Sequence, residues 1–223
     1  MPNGEDLAIL ARTLGIALAA TLLVVPPGLA LAVVFARRAG ALRTLVEAIA
    51  TLPLVLPPTA VGLLLLDALS PRSWLGRALV RASFDVLFDP KGAAIASAVM
   101  AFPLFYRAAR AALDEVDVRL VEVARTLGRS RLGAFRDVVL PLAARGLAGG
   151  VLLAFARAIG EFGATILVAG NIPGRTQTLS LAIFQRVQVG DDQGARRLLW
   201  LVVAVAFAAV WGTEALARRR GRA

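Results

Sequence analysis

Cysteine and histidine are both absent from the 223-residue sequence. Without them disulfides, thiolate chemistry and most zinc and haem sites are excluded, and no metal ligands are assigned. Catalytic motifs are missing as well. There is no His–Glu metal motif, no Gly-x-Ser-x-Gly elbow and no Gly-x4-Gly-Lys-Ser/Thr phosphate loop. No catalytic residue is assigned, and any ATP hydrolysis must take place on another chain. The opening MPNGEDLAIL has no basic segment and is locally acidic. It predicts a first apolar span that is kept, not a cleaved signal peptide.

What is present is apolar. Hydrophobic residues make up 58% of the chain and the mean hydropathy is +0.74, whereas an ordinary soluble domain is roughly half apolar. Residues 13–36 run for 24 positions without a charge, long enough to cross a hydrocarbon core as a helix. Five apolar stretches can be cut out, at about 14–36, 45–69, 92–113, 146–169 and 198–217. The third has 15 uncharged residues between Lys91 and Arg107. It reaches spanning length if Arg107 and Arg110 extend towards the headgroups. The sequence therefore predicts one all-α transmembrane domain over 1–223, a five-span helical bundle embedded in a lipid bilayer.

The net charge of +10 would point to nucleic acid in a soluble protein. Here the loops explain it, because cytoplasmic loops of membrane proteins collect Lys and Arg; no nucleic-acid partner is expected. With the amino terminus outside, the inner side holds Arg37, Arg38, Arg43, eight arginines between Arg107 and Arg145, and four at the carboxyl end. That side has fifteen basic and seven acidic residues, the other nine and seven. The asymmetry predicts amino terminus outside and carboxyl terminus cytoplasmic.

Two spans carry features that bear on function. The second reads TLPLVLPPTAVGLLLL, with Pro53, Pro57 and Pro58; interior prolines break the helical hydrogen-bond ladder. The freed groups must be satisfied in protein or in a wet cavity, so the region around Pro57, Pro58 and Thr59 either borders a pathway or is a packing kink. Pro26-Pro27 raises the same question in the first span. The fourth span is rich in Gly and Ala, which lets helices approach closely. It also holds Arg157 and Glu161, four residues apart and so on one helix face. Charges at this depth are costly unless paired or wet. The pair, with Thr165 beyond it, either lines a pathway for an anion or fixes helix packing.

Between the third and fourth spans lies a polar segment, DEVDVRLVEVARTLGRSRLGAFRDVVLPL, residues 114–142. Val121, Ala124 and Leu127/Gly128 fall on one side, interleaved with Arg119, Glu122, Arg125 and Arg129. That spacing predicts a short amphipathic helix over about 118–128 that stops at Gly128. A second short helix over about 131–140 is predicted to end before Pro141. The apolar face of the first needs a surface to bury against, either the chain's own bundle or the groove of a partner. In the outer loops, residues 74–84 suggest a piece on the membrane interface, and residues 180–189 a weak helix or re-entrant turn.

Glu122-Val123-Ala124, Gly128 and Val138-x-Leu140-Pro141 resemble the "EAA" loop of ABC-importer permeases, Glu-Ala-Ala-x3-Gly-x9-Ile-x-Leu-Pro. The spacing matches at every element, with Val123 for the first Ala and Val138 for Ile. Four further stretches, at 52–62, 101–117, 156–165 and 171–178, look like the molybdate branch of that family, close to sulfate/thiosulfate and tungstate permeases. The resemblance implies a type I (MetI-like) importer fold in the cell inner membrane, with no cofactor of its own. It also implies its partners: a second copy of the chain, cytoplasmic ATPase subunits that carry ATP-Mg, and an external substrate-binding protein. Within the loop it implies that Glu122, Arg125 and Arg129 contact the ATPase, that Ala124 must be small, that Gly128 permits the turn, and that Leu140 and Pro141 anchor the loop. A channel or secondary transporter without an ATPase is the more distant alternative.

Overall fold

The computed structural model describes residues 3–36 and 40–218, apart from the side chains at 209 and 213–218. Arg37, Arg38 and the four arginines at the carboxyl end, on which part of the charge argument rests, lie outside the described residues and side chains. Among the described residues every regular element is helical.

Helix α1, Gly4–Phe35, starts from a reciprocal cap: Asn3 accepts from the Asp6 N–H at 2.8 Å, and Asp6 accepts from the Asn3 N–H at 3.1 Å. It continues through Pro26 and Pro27 without interruption. The second apolar stretch does break. Helix α2, Ala41–Thr51, passes into a 3-10 turn at Leu52–Leu54; helix α3, Pro58–Leu69, then leaves at 108°. Pro57 sits before another proline and is held at φ −53°, ψ 134°, outside the helical region. The ring of Pro58 disfavours helix at the residue before it, while Pro58 itself suits the first turn of α3.

Helix α4, Trp74–Arg81, is a short amphipathic piece capped by Ser73, whose hydroxyl accepts from Gly76 N–H at 2.8 Å. Helix α5, Pro90–Asp114, is the centre of the fold and packs on α1, on α8 (Leu140–Ile159) and on α9 (Gly163–Val168). Its buried seam of Ala101, Phe105, Tyr106 and Ala109 meets Ala17 and Ala20 of α1 and Ala154 and Ala158 of α8. Small side chains at these contacts allow close helix approach, which is how helices associate where lipid removes the hydrophobic drive.

Helices α6 (Val118–Thr126) and α7 (Arg131–Ala134) follow α5, and α7 passes through a π-helical turn at Phe135–Val139 straight into α8. Here the expected helix end before Pro141 is not seen: the helix runs from Arg131 to Ile159. The π turn supplies the reason. Leu140 N–H reaches back five residues to Phe135 O. The wider turn lies directly before the proline, whose ring would otherwise press on the preceding α turn and whose missing N–H would leave a gap in it. Beyond α9 come α10, Leu179–Gln188, and α11, Asp192–Arg218. Both are tied to the start of α1. Thr13 Oγ1 accepts from Leu179 N–H at 2.9 Å, and the fully buried Asp6 pairs with Arg186 at 2.8 Å and Arg197 at 3.5 Å.

Among the described residues four helical stretches are long and apolar enough to span a membrane: Gly4–Phe35, Pro90–Asp114, Arg131–Ile159 and Asp192–Gly212. The bent α2–α3 pair is a fifth if counted as one span. The fourth stretch read from sequence is divided, ending as α8 at Ile159 and resuming as α9 at Gly163.

Candidate functional site

The two interruptions in the apolar helices face each other. Gly163, at the start of α9, sits so close to Pro58 that a Cβ there would be 2.7 Å from the Pro58 Cβ and 3.3 Å from the Thr59 nitrogen. One turn further along, Gly62 of α3 abuts Ala164 in the same way. Two short helices, each starting within an apolar stretch of the sequence, are thus packed backbone on backbone. Such broken helices are tolerated at membrane depth only where protein or a wet cavity covers the open ends.

Glu161 lies in the second interruption and is buried, with a relative exposure of 2%. One carboxylate oxygen accepts from Ala164 N–H at 2.8 Å, satisfying a free donor at the start of α9. The other meets the Arg157 guanidinium at 2.7 Å. The four-residue spacing does bring the two together, but across the end of α8, not along one unbroken helix. Thr165 is fully buried in α9 with no hydrogen-bond partner on its hydroxyl. Pro57, Pro58 and Thr59 are exposed on the other side of the junction. Of the predicted pathway residues, the fold therefore joins Pro58 and Thr59 to the α9 start beside Glu161. Gly62, which makes the closest approach to backbone at this junction, was missed by sequence reasoning, although its place one turn after Pro58 could have suggested it.

The segment between α5 and α8 places the other predicted residues. Asp117 caps α6 through Arg119 N–H at 2.9 Å. Gly128 ends it at φ +87°, a left-handed conformation that glycine adopts without strain. Ala124 is buried and Val121 packs against the main core, on the side of α6 that meets the chain's own π turn. Leu120, Val123 and Leu127 form a second apolar stripe, at i, i+3 and i+7, and are 48%, 55% and 79% exposed. Glu122 and Arg125 are exposed on the same helix; Arg129 is exposed too but pairs with Asp137 at 3.3 Å. Leu140 is half-buried and Pro141 exposed, in the first turn of α8. The outward stripe was not expected: Leu127 was grouped with Ala124, whereas the helix turns it away.

A third polar cluster joins α2 to α5. Glu47 accepts from Arg43 at 2.7 Å and also pairs with Arg110, which reaches Asp114 at 3.4 Å. Arg110 is thus paired with two carboxylates of the protein. Glu47, Arg110 and Asp114 line a cleft of about 560 Å³ with Thr44, Thr51, Tyr106 and Arg107. The i,i+4 pairs Arg43/Glu47 and Arg110/Asp114 are visible in the sequence; the link between them, 63 residues apart, is not. Among the described residues no cluster of acidic side chains could hold a metal ion.

Comparison with known proteins agrees with this geometry. Residues 28–216 match the family described as binding-protein-dependent transport system inner membrane component. The molybdenum transport system permease protein ModB of Escherichia coli K12 is 44% identical over 178 residues, covering 79% of this chain and 78% of that protein. The ModB protein of Haemophilus influenzae is 37% identical over 203 residues, covering 89% and 88%. The sulfate transport system permease protein CysT of Salmonella typhimurium is 37% identical over 180 residues, covering 81% of this chain but 65% of that protein. In fold, the chain superposes on an inward-facing methionine ABC transporter with a TM-score of 0.73 at 18% identity, covering 98% and 99%. That likeness establishes the MetI-like fold. The match across most of the chain, the permease relatives and this shared fold together place the chain in the family of binding-protein-dependent transport system inner membrane components, as a non-catalytic permease subunit of an ABC importer.

Proposed function

We propose that the chain imports molybdate, as half of a homodimeric pathway supplied by an external binding protein and driven by separate ATPase subunits. The observation that carries the substrate is the identity with molybdenum permeases along most of the chain. The helical layout supports a mechanism. The exposed stripe Leu120, Val123 and Leu127, flanked by Glu122 and Arg125, is a docking face of the helix-in-groove kind for an ATPase. The continuous helix Arg131–Ile159 then acts as a lever from that face to the Glu161 junction. Rocking the lever shifts α9 against α3, opening the pathway to one side and then the other.

The chain's charges set the orientation in this reading. The segment holding α6 and α7 is strongly basic and belongs in the cytoplasm with the carboxyl terminus, leaving the amino terminus outside. The start of α3 at Pro58 supplies positive potential near the junction, which suits a dianion in transit, while Glu161 already balances Arg157 and caps the start of α9.

Sulfate is the second reading, favoured by the CysT relatives; tungstate shares the geometry of molybdate and is tested alongside. The deciding experiment is uptake by cells lacking their own permease and given this chain with its ATPase and binding protein. Labelled molybdate should accumulate, with tungstate competing and a large excess of sulfate failing to compete. Preferential sulfate accumulation would replace the molybdate reading, and uptake without an ATPase would sink the ABC mechanism.

A further inference from the structure

A groove of about 730 Å³ runs down the outside of the bundle between α1 and α5. Its walls are apolar: Ile16, Leu22 and Leu23 from α1 face Ala94 and Ile95 from α5. Its hollow comes from small residues on the exposed face of α1. A Cβ added at Gly15 would meet nothing within 4 Å, and Ala19 is exposed one turn on. No lining residue is acidic, and the charged ones are Arg12 and Lys91. Both stand at the same end.

These two cations are held in place and only partly neutralised. Arg12 donates to the Gln177 carbonyl at 3.1 Å. Lys91 donates to the Asp85 carbonyl at 3.1 Å and lies 4.7 Å over the Phe84 ring. Its carboxylate neighbour Asp89 is 3.9 Å away and is shared with Arg175 at 3.1 Å. The mouth therefore keeps positive charge facing the groove.

The dimensions fit one leaflet. From Arg12 to Leu23, α1 advances by about 16 Å at 1.5 Å per residue, against about 15 Å for half of a hydrocarbon core. We propose that this groove is a binding site for one anionic phospholipid of the leaflet on the side of the α1 amino terminus. Its phosphodiester sits between Arg12 and Lys91, and an acyl chain lies over Gly15 and Ala19. Two basic groups over an apolar slot match an anionic headgroup in a way that a protein helix or a neutral lipid does not.

The test uses the assembled importer in nanodiscs of mixed phosphatidylglycerol and phosphatidylcholine, with native mass spectrometry of the lipid that stays bound. The wild-type complex should retain phosphatidylglycerol selectively. Arg12→Gln and Lys91→Gln should each lower that retention by about fivefold. Gly15→Leu enters the slot from a position whose Cβ meets no protein within 4 Å, so it should lose the lipid while melting as the wild type does. Equal retention of phosphatidylcholine, or retention unchanged in all three variants, would overturn the proposal. So would a disulfide between two copies carrying Gly15→Cys in this otherwise cysteine-free chain, since it would place a second copy in the groove.

Discussion

Gly62 and Ala164 touch backbone to backbone: a Cβ on Gly62 would lie 2.8 Å from the Ala164 Cα and 3.1 Å from its carbonyl oxygen. Neither atom can yield without moving α3 against α9. Gly62→Ala should therefore push the two broken helices apart, at a cost of about 1–3 kcal/mol, and slow uptake more than it reduces the amount of protein in the membrane. Thermal unfolding in detergent and transport assays check both parts. A variant that melts and transports as the wild type does would show that the contact is not needed.

Glu161 does two things, and substitutions separate them. Glu161→Gln keeps an oxygen that can accept from Ala164 N–H but gives up the charge opposite Arg157. Glu161→Ala gives up both and leaves the arginine without its partner, which for a buried pair costs about 3–5 kcal/mol. The expected order of melting temperature is wild type, then Gln, then Ala. Arg157→Met combined with Glu161→Gln should recover part of the loss, because an apolar replacement removes the stranded charge.

The stripe on α6 gives a prediction about coupling. Leu127→Glu places a charge on a side chain that is already 79% exposed, so insertion and melting should be unchanged. ATP hydrolysis by the partner should no longer respond to the loaded binding protein. Glu122→Lys should act in the same direction. Gly128→Val differs, because φ +87° costs a residue with a Cβ about 1–2 kcal/mol, and it should lower stability as well. Normal stimulation in the Leu127→Glu complex would remove α6 from the coupling route.

Asp89 predicts an acid-sensitive contact outside the membrane. Burial alone would raise its pKa, but the Lys91 backbone N–H, the Arg175 guanidinium and the nearby charges outweigh it and hold the carboxyl below its ordinary range. A depressed carboxylate contributes stability above its unfolded pKa, and that stability is lost as pH falls through the lower folded value. Asp89→Asn retains the helix-capping oxygen but not the charge. It should melt lower than the wild type at neutral pH, and the gap should close as the pH drops below about 4. A gap that persists at low pH would mean that the charge is not its source.

The sequence carried much of this fold because lipid imposes simple rules. Charge-free runs had to be helices, and Pro57-Pro58 marked a place where one could break, although Pro26-Pro27 marked another and α1 passes straight through it. The spacing from Glu122 to Pro141 marked the segment that holds α6 and the π turn. It did not show the break at Gly160–Phe162, because Gly and Ala serve helix packing and helix interruption equally well. Nor could it show the helix passing Pro141, since a π turn has no residue signature as firm as proline's own. The tie from Arg110 to Glu47 rests on the bend between α2 and α3, a tertiary fact. Leu120 and Val123 were legible as apolar, but which side of α6 faces the bundle depends on where the π turn sits beneath it.

That π turn at Phe135–Val139 gives the helix one residue more than an α-helical path needs. A spare residue is a phase adjuster. Deleting one position there would restore ordinary winding and rotate everything before it by about 100° relative to α8. The apolar stripe on α6 would then point elsewhere while α8 and the Glu161 junction kept their places. The direction in which the α6 stripe faces is thus encoded by the length of five residues as much as by their chemistry.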